Sequence, residues 1–393
     1  MNKESILTAA ALLLLSACGG GGDDNASANE TPAPTPPTVT PAPPEGSSSP
    51  CDSGDGGVNW TALAEADCED LSQYGLFRNE QDPSSDAHAP GFAYQLATEL
   101  FSNYASKYRF IFLPEGSSIS YRDQEALSFP TGTVLVKTFA LPADTQVQEP
   151  ENETLIETRL LIKRASGWTS LPYRWQDGKA TLAVAGGSVS HTLNRQGESL
   201  TFDYAIPSRA ECKVCHQQTN EAGTSIIAPI GVQPWLLNTN NESGQNQLAQ
   251  WQSSGLITGL PELADISSSG AIADTSSPLQ DRAKGYLAVN CAHCHSDTGY
   301  ASVSGLRLGF FVDHTSFKYG ICKQPPGWDG GARGLDYDIV PGNAEHSIVV
   351  YRQQLNEPKD RMPPLGRAIS HTEGVELVSE WIDSLPLSLG SCN

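Results

Sequence analysis

Thr133-Val134-Leu135-Val136-Lys137-Thr138-Phe139 and Leu155-Ile156-Glu157-Thr158-Arg159-Leu160-Leu161-Ile162 are two runs that alternate apolar and polar residues between turn signals. Such alternation is typical of β-strands that have one buried face. Three further runs of this kind occur, at residues 109–113, 180–184 and 200–204. Short strands separated by Gly and Pro predict an antiparallel β-sandwich-like domain over residues 59–207.

Charged side chains interrupt both runs: Lys137 lies in the first, and Glu157 and Arg159 lie in the second. Charges within a strand usually pair with charges on neighbouring strands at the solvent face of the sheet. We therefore predict that these three side chains face solvent, and we assign them no catalytic role. A helix is expected to precede the strands, over residues 93–106.

The composition narrows the classes of function. The 393 residues include 45 acidic and 24 basic side chains, which gives a formal net charge of −21. This charge argues against binding to nucleic acid and suits redox partner proteins that are basic. The 36 Gly and 27 Pro residues favour turns and β-structure over long helices.

The N-terminal segment predicts export from the cytoplasm. Residues 1–17 have a basic residue, Lys3, followed by a short apolar run and small residues, as an export signal does. Leu15-Ser16-Ala17-Cys18-Gly19 resembles the bacterial lipoprotein signal, which implies a lipid anchor on Cys18 and, through Gly19, sorting to the outer membrane. The protein would then face the periplasm or the cell surface. The alternative is an ordinary cleaved signal. Residues 19–58 predict a disordered, solvated tether.

Four of the nine cysteines stand in two identical frames, Cys212-Lys213-Val214-Cys215-His216 and Cys291-Ala292-His293-Cys294-His295. Two thiols at this spacing can form thioethers with the two vinyl groups of one porphyrin, and the adjacent His can bind its iron. The frames therefore predict two covalent c-type haems, with thioethers from Cys212, Cys215, Cys291 and Cys294 and axial ligands from His216 and His295. The first haem-binding region is expected over residues 208–279 and the second over residues 280–393.

Three other roles for these cysteines are weaker. The Cys pairs of a zinc ribbon stand about 15–20 residues apart, whereas 75 residues separate Cys215 from Cys291, so no zinc is expected. Redox dithiols of the thioredoxin type lie in a βαβ pattern, and neither frame has that pattern around it. Ordinary structural disulfides are the third alternative.

Four cysteines remain once the haem and lipid cysteines are set aside: Cys51, Cys68, Cys322 and Cys392. An even number of cysteines in an oxidising compartment suggests two disulfides. Three pairings are possible. Proximity in the sequence favours Cys51–Cys68 and Cys322–Cys392.

The C-terminal region predicts helices around the second frame. Residues 281–289 lead directly into Cys291, and residues 372–385 carry apolar side chains at helical spacing. Two such helices packed across each other are typical of a class I cytochrome c. The predicted fold class is therefore mixed, a β-sandwich-like domain followed by α-helical class I cytochrome c-like haem modules.

The distal ligands of the two haems are expected to differ. Met362 stands 67 positions after His295, before two prolines that stiffen its loop, so its thioether is predicted to be the distal ligand of the second haem. The first haem has no Met of its own because the only other one is Met1. The distal ligand of the first haem therefore stays open. It could be another side chain, water, no ligand at all, or one of five free imidazoles: His88, His191, His314, His346 and His371.

Several stretches besides the two frames carry a family likeness: Leu71-Ser72-Gln73-Tyr74-Gly75-Leu76-Phe77, residues 129–139, Glu157-Thr158-Arg159-Leu160-Leu161, Pro341-Gly342, Ser347, Arg352 and Met362-Pro363-Pro364-Leu365-Gly366. With these stretches the chain resembles, over residues 70–385, an uncharacterised family of exported bacterial di-haem c-type cytochromes, here in a lipoprotein form. The resemblance implies haem binding and electron transfer, leaves the substrate open, and makes Met362 the distal ligand of the second haem.

Three functions follow from this reading. The leading one is electron transfer through two haems between periplasmic or outer-membrane partners. The second is a di-haem peroxidase or oxidase in which the first haem has an open coordination position. The third is a haem-based sensor or binding module in which the β-rich domain holds a ligand.

Overall fold

The computed structural model describes residues 49–147, 149–241 and 243–392. The predicted signal, Cys18 and the tether up to residue 48 lie outside these residues. The described residues belong to one compact unit. Among them, every helix is too short or too polar to span a lipid bilayer.

The described residues form the β-strands β1 (Phe92–Ala93), β2 (Ser106–Phe112), β3 (Ile119–Ser120), β4 (Val134–Pro142), β5 (Glu153–Arg164), β6 (Gly167–Gln176), β7 (Lys179–Leu182), β8 (Gly187–Arg195), β9 (Glu198–Ile206), β10 (Gln217–Thr219), β11 (Ser225–Ile227) and β12 (Ile257–Thr258). Six of them form an antiparallel sheet at the centre of this unit, with the strand order β1-β2-β4-β5-β6-β7. Outside the large sheet, β8 pairs with β9, β10 with β11, and β12 with β3.

The two faces of this sheet are covered by different parts of the chain. On the first face, Phe110, Val136 and Leu160 occupy paired positions of β2, β4 and β5 and pack under residues 62–77. On the second face, Ile111 and Leu135 pack against side chains from residues 232–266. Since side chains alternate between the faces, the next side chains along β2, β4 and β5 on this second face are charged.

The β-sandwich expected from the sequence is not what the chain forms. The β-rich region is one sheet of six strands, and no second sheet of comparable size covers its second face in the described chain. The hairpin of β8 and β9 packs there through Phe202 and Tyr204 against Phe139, and the two-residue strands β3 and β12 pack there beside Ile111. Loops and short helices cover the rest. The alternating pattern indicates that a face is buried, but it does not say whether a second sheet or another segment buries it.

The α-helices of the described residues are short: α1 (Trp60–Glu65), α2 (Cys212–His216), α3 (Pro234–Leu237), α4 (Gln247–Ser253), α5 (Leu279–Leu287), α6 (Ile348–Gln354) and α7 (Thr372–Ser384). The longest, α7, has 13 residues. Strands make up 24% of the described residues and helical turns 25%. The residues expected to precede the strands as a helix, 93–106, form loops flanked by β1 and β2.

The prediction of an α-helical class I cytochrome c-like module over residues 280–393 is wrong. The two amphipathic runs do form α5 and α7, and these helices share a core with Trp381 at its centre. However, α6 is the only α-helix between them, and residues 293–347 form loops and short 3₁₀ turns. Gly and Pro are frequent in that stretch, and they favour turns over helix.

Two disulfides fix the ends of the described chain. Cys51 is bonded to Cys68, and Cys322 to Cys392. These are the two pairs that proximity in the sequence favours. The first bond ties the end of the predicted tether to the core beneath the first face of the sheet.

Candidate functional site

The two Cys-x-x-Cys-His frames meet in space. The first forms the single turn of α2, and the second begins in a π-helical turn, Ala288–Ala292, that continues α5. Ligand atoms of Cys215, His293 and Cys294 all lie within 4.8 Å of one another. The sequence did not predict this contact, because 75 residues separate the frames.

His216 is held so that one ring nitrogen is left for a metal. Its Nδ1 donates to the carbonyl oxygen of Ala228 at 2.9 Å, so Nε2 carries no proton in the neutral ring. Burial lowers the pKa of His216 to about 4. The ring is therefore neutral at pH 7, and a backbone carbonyl on the far nitrogen is the usual support of a metal-binding His.

His295 has a similar arrangement with a different partner. Its Nδ1 lies 3.1 Å from the hydroxyl of Ser304, which leaves Nε2 as the nitrogen for a metal. Burial lowers the pKa of His295 to about 4, so this ring is also neutral at pH 7. Both predicted axial His residues are thus in the protonation state that iron requires.

A cavity of about 410 Å³ lies beside the second frame. Its walls include Cys291, Cys294, His295 and Met362, so the structure brings the predicted proximal and distal ligands of the second haem to one cavity. Pro363, Pro364 and Trp328 contribute to its apolar lining.

The loop that carries Met362 is held by one buried side chain that the sequence analysis missed. Arg367 is 6% exposed and donates to the carbonyl oxygen of Met362 from Nη2 at 2.8 Å and from Nε at 3.1 Å. The same guanidinium donates to the carbonyls of Arg352 and Leu355. Arg367 therefore fixes the backbone on both sides of the loop.

A second cavity, of about 160 Å³, lies beside the first frame. Its walls include Cys212, Cys215, His216 and side chains from the second face of the sheet. The two cavities adjoin, because both are lined by Asn290, Cys291, His293, Gln353, Met362 and Pro363.

The charged residues of β4 and β5 do not face solvent, contrary to the sequence prediction. Lys137 and Arg159 line the first cavity together with Arg109 of β2. Arg109 is 5% exposed and the carboxylate of Glu157 is fully buried. Burial, together with the neighbouring Arg159 and Arg109, lowers the pKa of Lys137 to about 7.

Of the five free imidazoles named from the sequence, His371 is the one found in the walls of the first cavity. Its ring stacks on Phe101 with centroids 4.2 Å apart, and its Nδ1 lies 3.1 Å from the Tyr286 hydroxyl. His293, inside the second frame, lines both cavities, and its Nδ1 is buried with no hydrogen-bond partner in the described chain. The sequence analysis did not name His293 among the candidate ligands.

The four frame thiols differ in acidity. A hydrogen bond from the Cys294 thiol lowers the pKa of Cys215, and the same contact raises the pKa of Cys294. Burial raises the pKa of Cys212 and raises that of Cys291 to about 12. Cys215 is therefore the thiol that ionises most readily.

Comparisons with protein-family models, with curated proteins and with solved structures found no match for this chain. The functional argument therefore depends on the chemistry of the site itself.

Proposed function

We propose that this protein is a di-haem c-type cytochrome that transfers electrons outside the cytoplasm. The observation that carries the proposal is the pairing of each Cys-x-x-Cys-His frame with its own cavity, where the His ring is neutral and its Nδ1 is already engaged. The position of the two cavities side by side supports electron passage between two centres held there.

The residues of both sites fit a c-type haem. Each frame offers two thiols in the Cys-x-x-Cys arrangement and one neutral imidazole, and the Met362 thioether lines both cavities. Bound haem would supply one-electron chemistry at iron. The chain itself would attach the group covalently, orient the two imidazoles through Ala228 and Ser304, and hold Met362 through Arg367.

The cellular setting is part of the same proposal. Export with a lipid anchor on Cys18 would hold the protein at the outer membrane, where covalent haem attachment and disulfides are both compatible with the compartment. The net charge of −21 suits basic redox partners, and salt would weaken their association.

Expression of the full chain in cells that attach c-type haem tests the proposal. Intact mass and a reduced pyridine spectrum should give two covalent haems per chain. Carbon monoxide is then added to the reduced protein. An electron carrier should bind no carbon monoxide at either haem, whereas a peroxidase, oxidase or sensor should bind it at an open first haem. A chain without covalent haem would contradict the proposal.

A second candidate function is favoured by the cluster of Cys215, His293 and Cys294. Two sulfur ligands and one imidazole within 4.8 Å could bind a zinc or copper ion, and the buried Nδ1 of His293 has no other partner in the described chain. Haem attachment would consume both thiols, so the two functions exclude each other. Metal analysis of the purified chain, with His293→Ala as the variant, distinguishes them: bound zinc or copper lost in H293A with no haem would favour the metal site.

A further inference from the structure

Four basic side chains lie on the second face of the sheet, and three of them line the first cavity. Arg109, Lys137 and Arg159 occupy directly paired positions of β2, β4 and β5, and Lys107 lies two positions from Arg109 on the same face. We call Arg109, Lys137 and Arg159 the cationic row. Like charges directly opposite one another in a sheet are destabilising unless something compensates them.

Two carboxylates compensate part of this charge. Glu99 accepts a hydrogen bond from Nη1 of Arg109 at 2.6 Å and lies 3.7 Å from Nζ of Lys107. Glu157 accepts two hydrogen bonds from Arg159, at 2.8 and 2.5 Å, and a third from the Tyr204 hydroxyl at 2.7 Å. The carboxylate of Glu157 is therefore fully engaged, whereas that of Glu99, whose side chain is 47% exposed, is shared by two cations.

Lys137 has no such partner. Among the described residues no hydrogen bond or ion pair reaches its Nζ, which lies 5.0 Å from the centre of the Phe139 ring. Arg109 is paired with Glu99 and Arg159 with Glu157, so Lys137 is the one cation of the row without a carboxylate partner among the described residues. The carboxylate of Glu211, which also lines the cavity, accepts its hydrogen bonds from Ser208 instead. An ammonium that lines a cavity is costly without a counter-charge.

We propose that the cationic row binds a carboxylate group in the first cavity. The unpartnered ammonium of Lys137, with the planar guanidinium forks of Arg109 and Arg159 on either side of it, suits that chemistry. The carboxylate has two conceivable sources, a propionate of a haem attached at Cys212 and Cys215 or a free dicarboxylate. The first source rests on the proposed function and the second does not.

The test uses the purified full chain, Lys137→Gln, and Lys179→Gln as the matched control. Lys179 lies on the same sheet but is exposed and paired with Asp70, so its loss removes the same charge without touching the cavity. Succinate binding is measured by calorimetry in low-salt buffer. The propionate bending bands are measured by resonance Raman spectroscopy. Lys137→Arg restores the charge, and Lys137→Met replaces K137Q if that variant does not fold.

A free dicarboxylate as the occupant predicts saturable succinate binding that K137Q weakens at least about tenfold, that K179Q leaves unchanged and that K137R restores. Haem propionates as the occupant predict no succinate binding, together with propionate bands that K137Q shifts and K179Q does not. If neither readout depends on Lys137, the proposal is overturned. It is also overturned if K137Q alone changes the spin state of a haem, because Lys137 would then be an iron ligand. A chain without haem would contradict the proposed function, and the succinate measurement alone would then decide whether the cationic row binds a carboxylate.

Discussion

The two Cys-x-x-Cys-His frames share a sequence pattern but are supported by different structures. The first is a five-residue helix beside a β-sheet, and its His216 is held by a backbone carbonyl. The second follows α5 in a small helical core, and its His295 is held by the Ser304 hydroxyl. Under the proposed function the frame would supply attachment, and the surrounding fold determines what holds each His.

The two cavities also differ in the residues that line them. The thioether of Met362, on a loop fixed by Arg367, lies in the walls of both cavities. The cationic row and His371, which already has a ring partner on Phe101, lie in the wall of the first cavity alone. We therefore expect two centres of unlike potential and unlike access in one protein.

Removal of one pair of thiols should have the largest effect. Cys212→Ser with Cys215→Ser should remove the first haem, and Cys291→Ser with Cys294→Ser the second, because serine cannot form the thioether. Intact mass should fall by one haem in each variant. Retention of two haems in either variant would show that the frames are not the attachment sites.

Loss of the thioether ligand should act on the second centre alone. Met362→Leu keeps the volume of the side chain but removes the sulfur, so the midpoint potential of the second haem should fall. In the unmodified protein, the second haem should be reduced before the first in a redox titration. An unchanged second potential in M362L would mean that another group binds that iron.

Loss of the guanidinium that fixes the Met362 loop should be costly to stability. Arg367→Met leaves the carbonyls of Met362, Arg352 and Leu355 without this donor, so the free energy of unfolding in urea should fall by about 3 kcal/mol. The second haem should show weakened thioether ligation while the first is unaffected.

Arg361→Met is the matched control for this change, since Arg361 lies in the same loop but makes only longer hydrogen bonds, of 3.2 and 3.3 Å. Its loss should cost less than about 1 kcal/mol. Equal losses in the two variants would argue against a special role for Arg367.

The smallest expected effect is a dependence of stability on pH at the first cavity. Burial lowers the pKa of Lys137 from 10.5 to about 7, so the unfolded chain holds an extra proton between these values and stability rises with pH there. In the variant that lacks Cys212 and Cys215, Lys137→Met should therefore raise the unfolding free energy most below pH 7. The gain should shrink as pH increases towards 10.5.

Urea unfolding at a series of pH values checks this prediction, with Lys179→Gln as the control. A gain that does not vary with pH would show that Lys137 is not held with a lowered pKa.

The strands of this fold could be read from the sequence more readily than their surroundings. Alternation identifies which side chains of β4 and β5 share a face, because the period of a strand is fixed by its geometry. It does not show what covers that face, so Lys137, Glu157 and Arg159 were wrongly expected in solvent. The cover comes from residues far away in sequence, around His216 and Val232.

The helical module was predicted wrongly for a related reason. The amphipathic runs at α5 and α7 are local patterns and could be recognised, whereas the loops between them are organised by contacts that no local pattern reveals, such as the bonds from Arg367. Met362 could be singled out because Met is rare in this chain. The contact between Cys215 and Cys294 left no signal in the sequence.

The Cys322–Cys392 bond gives the second cavity a tolerance to cleavage. It closes a covalent ring that contains α6, the Met362 loop and α7. The exposed residues just before Met362, among them Lys359, offer a site to a protease such as trypsin. After a single cut there, the disulfide still joins the two fragments. The nicked protein therefore gains only the mass of one water, and a reductant is needed to separate the fragments.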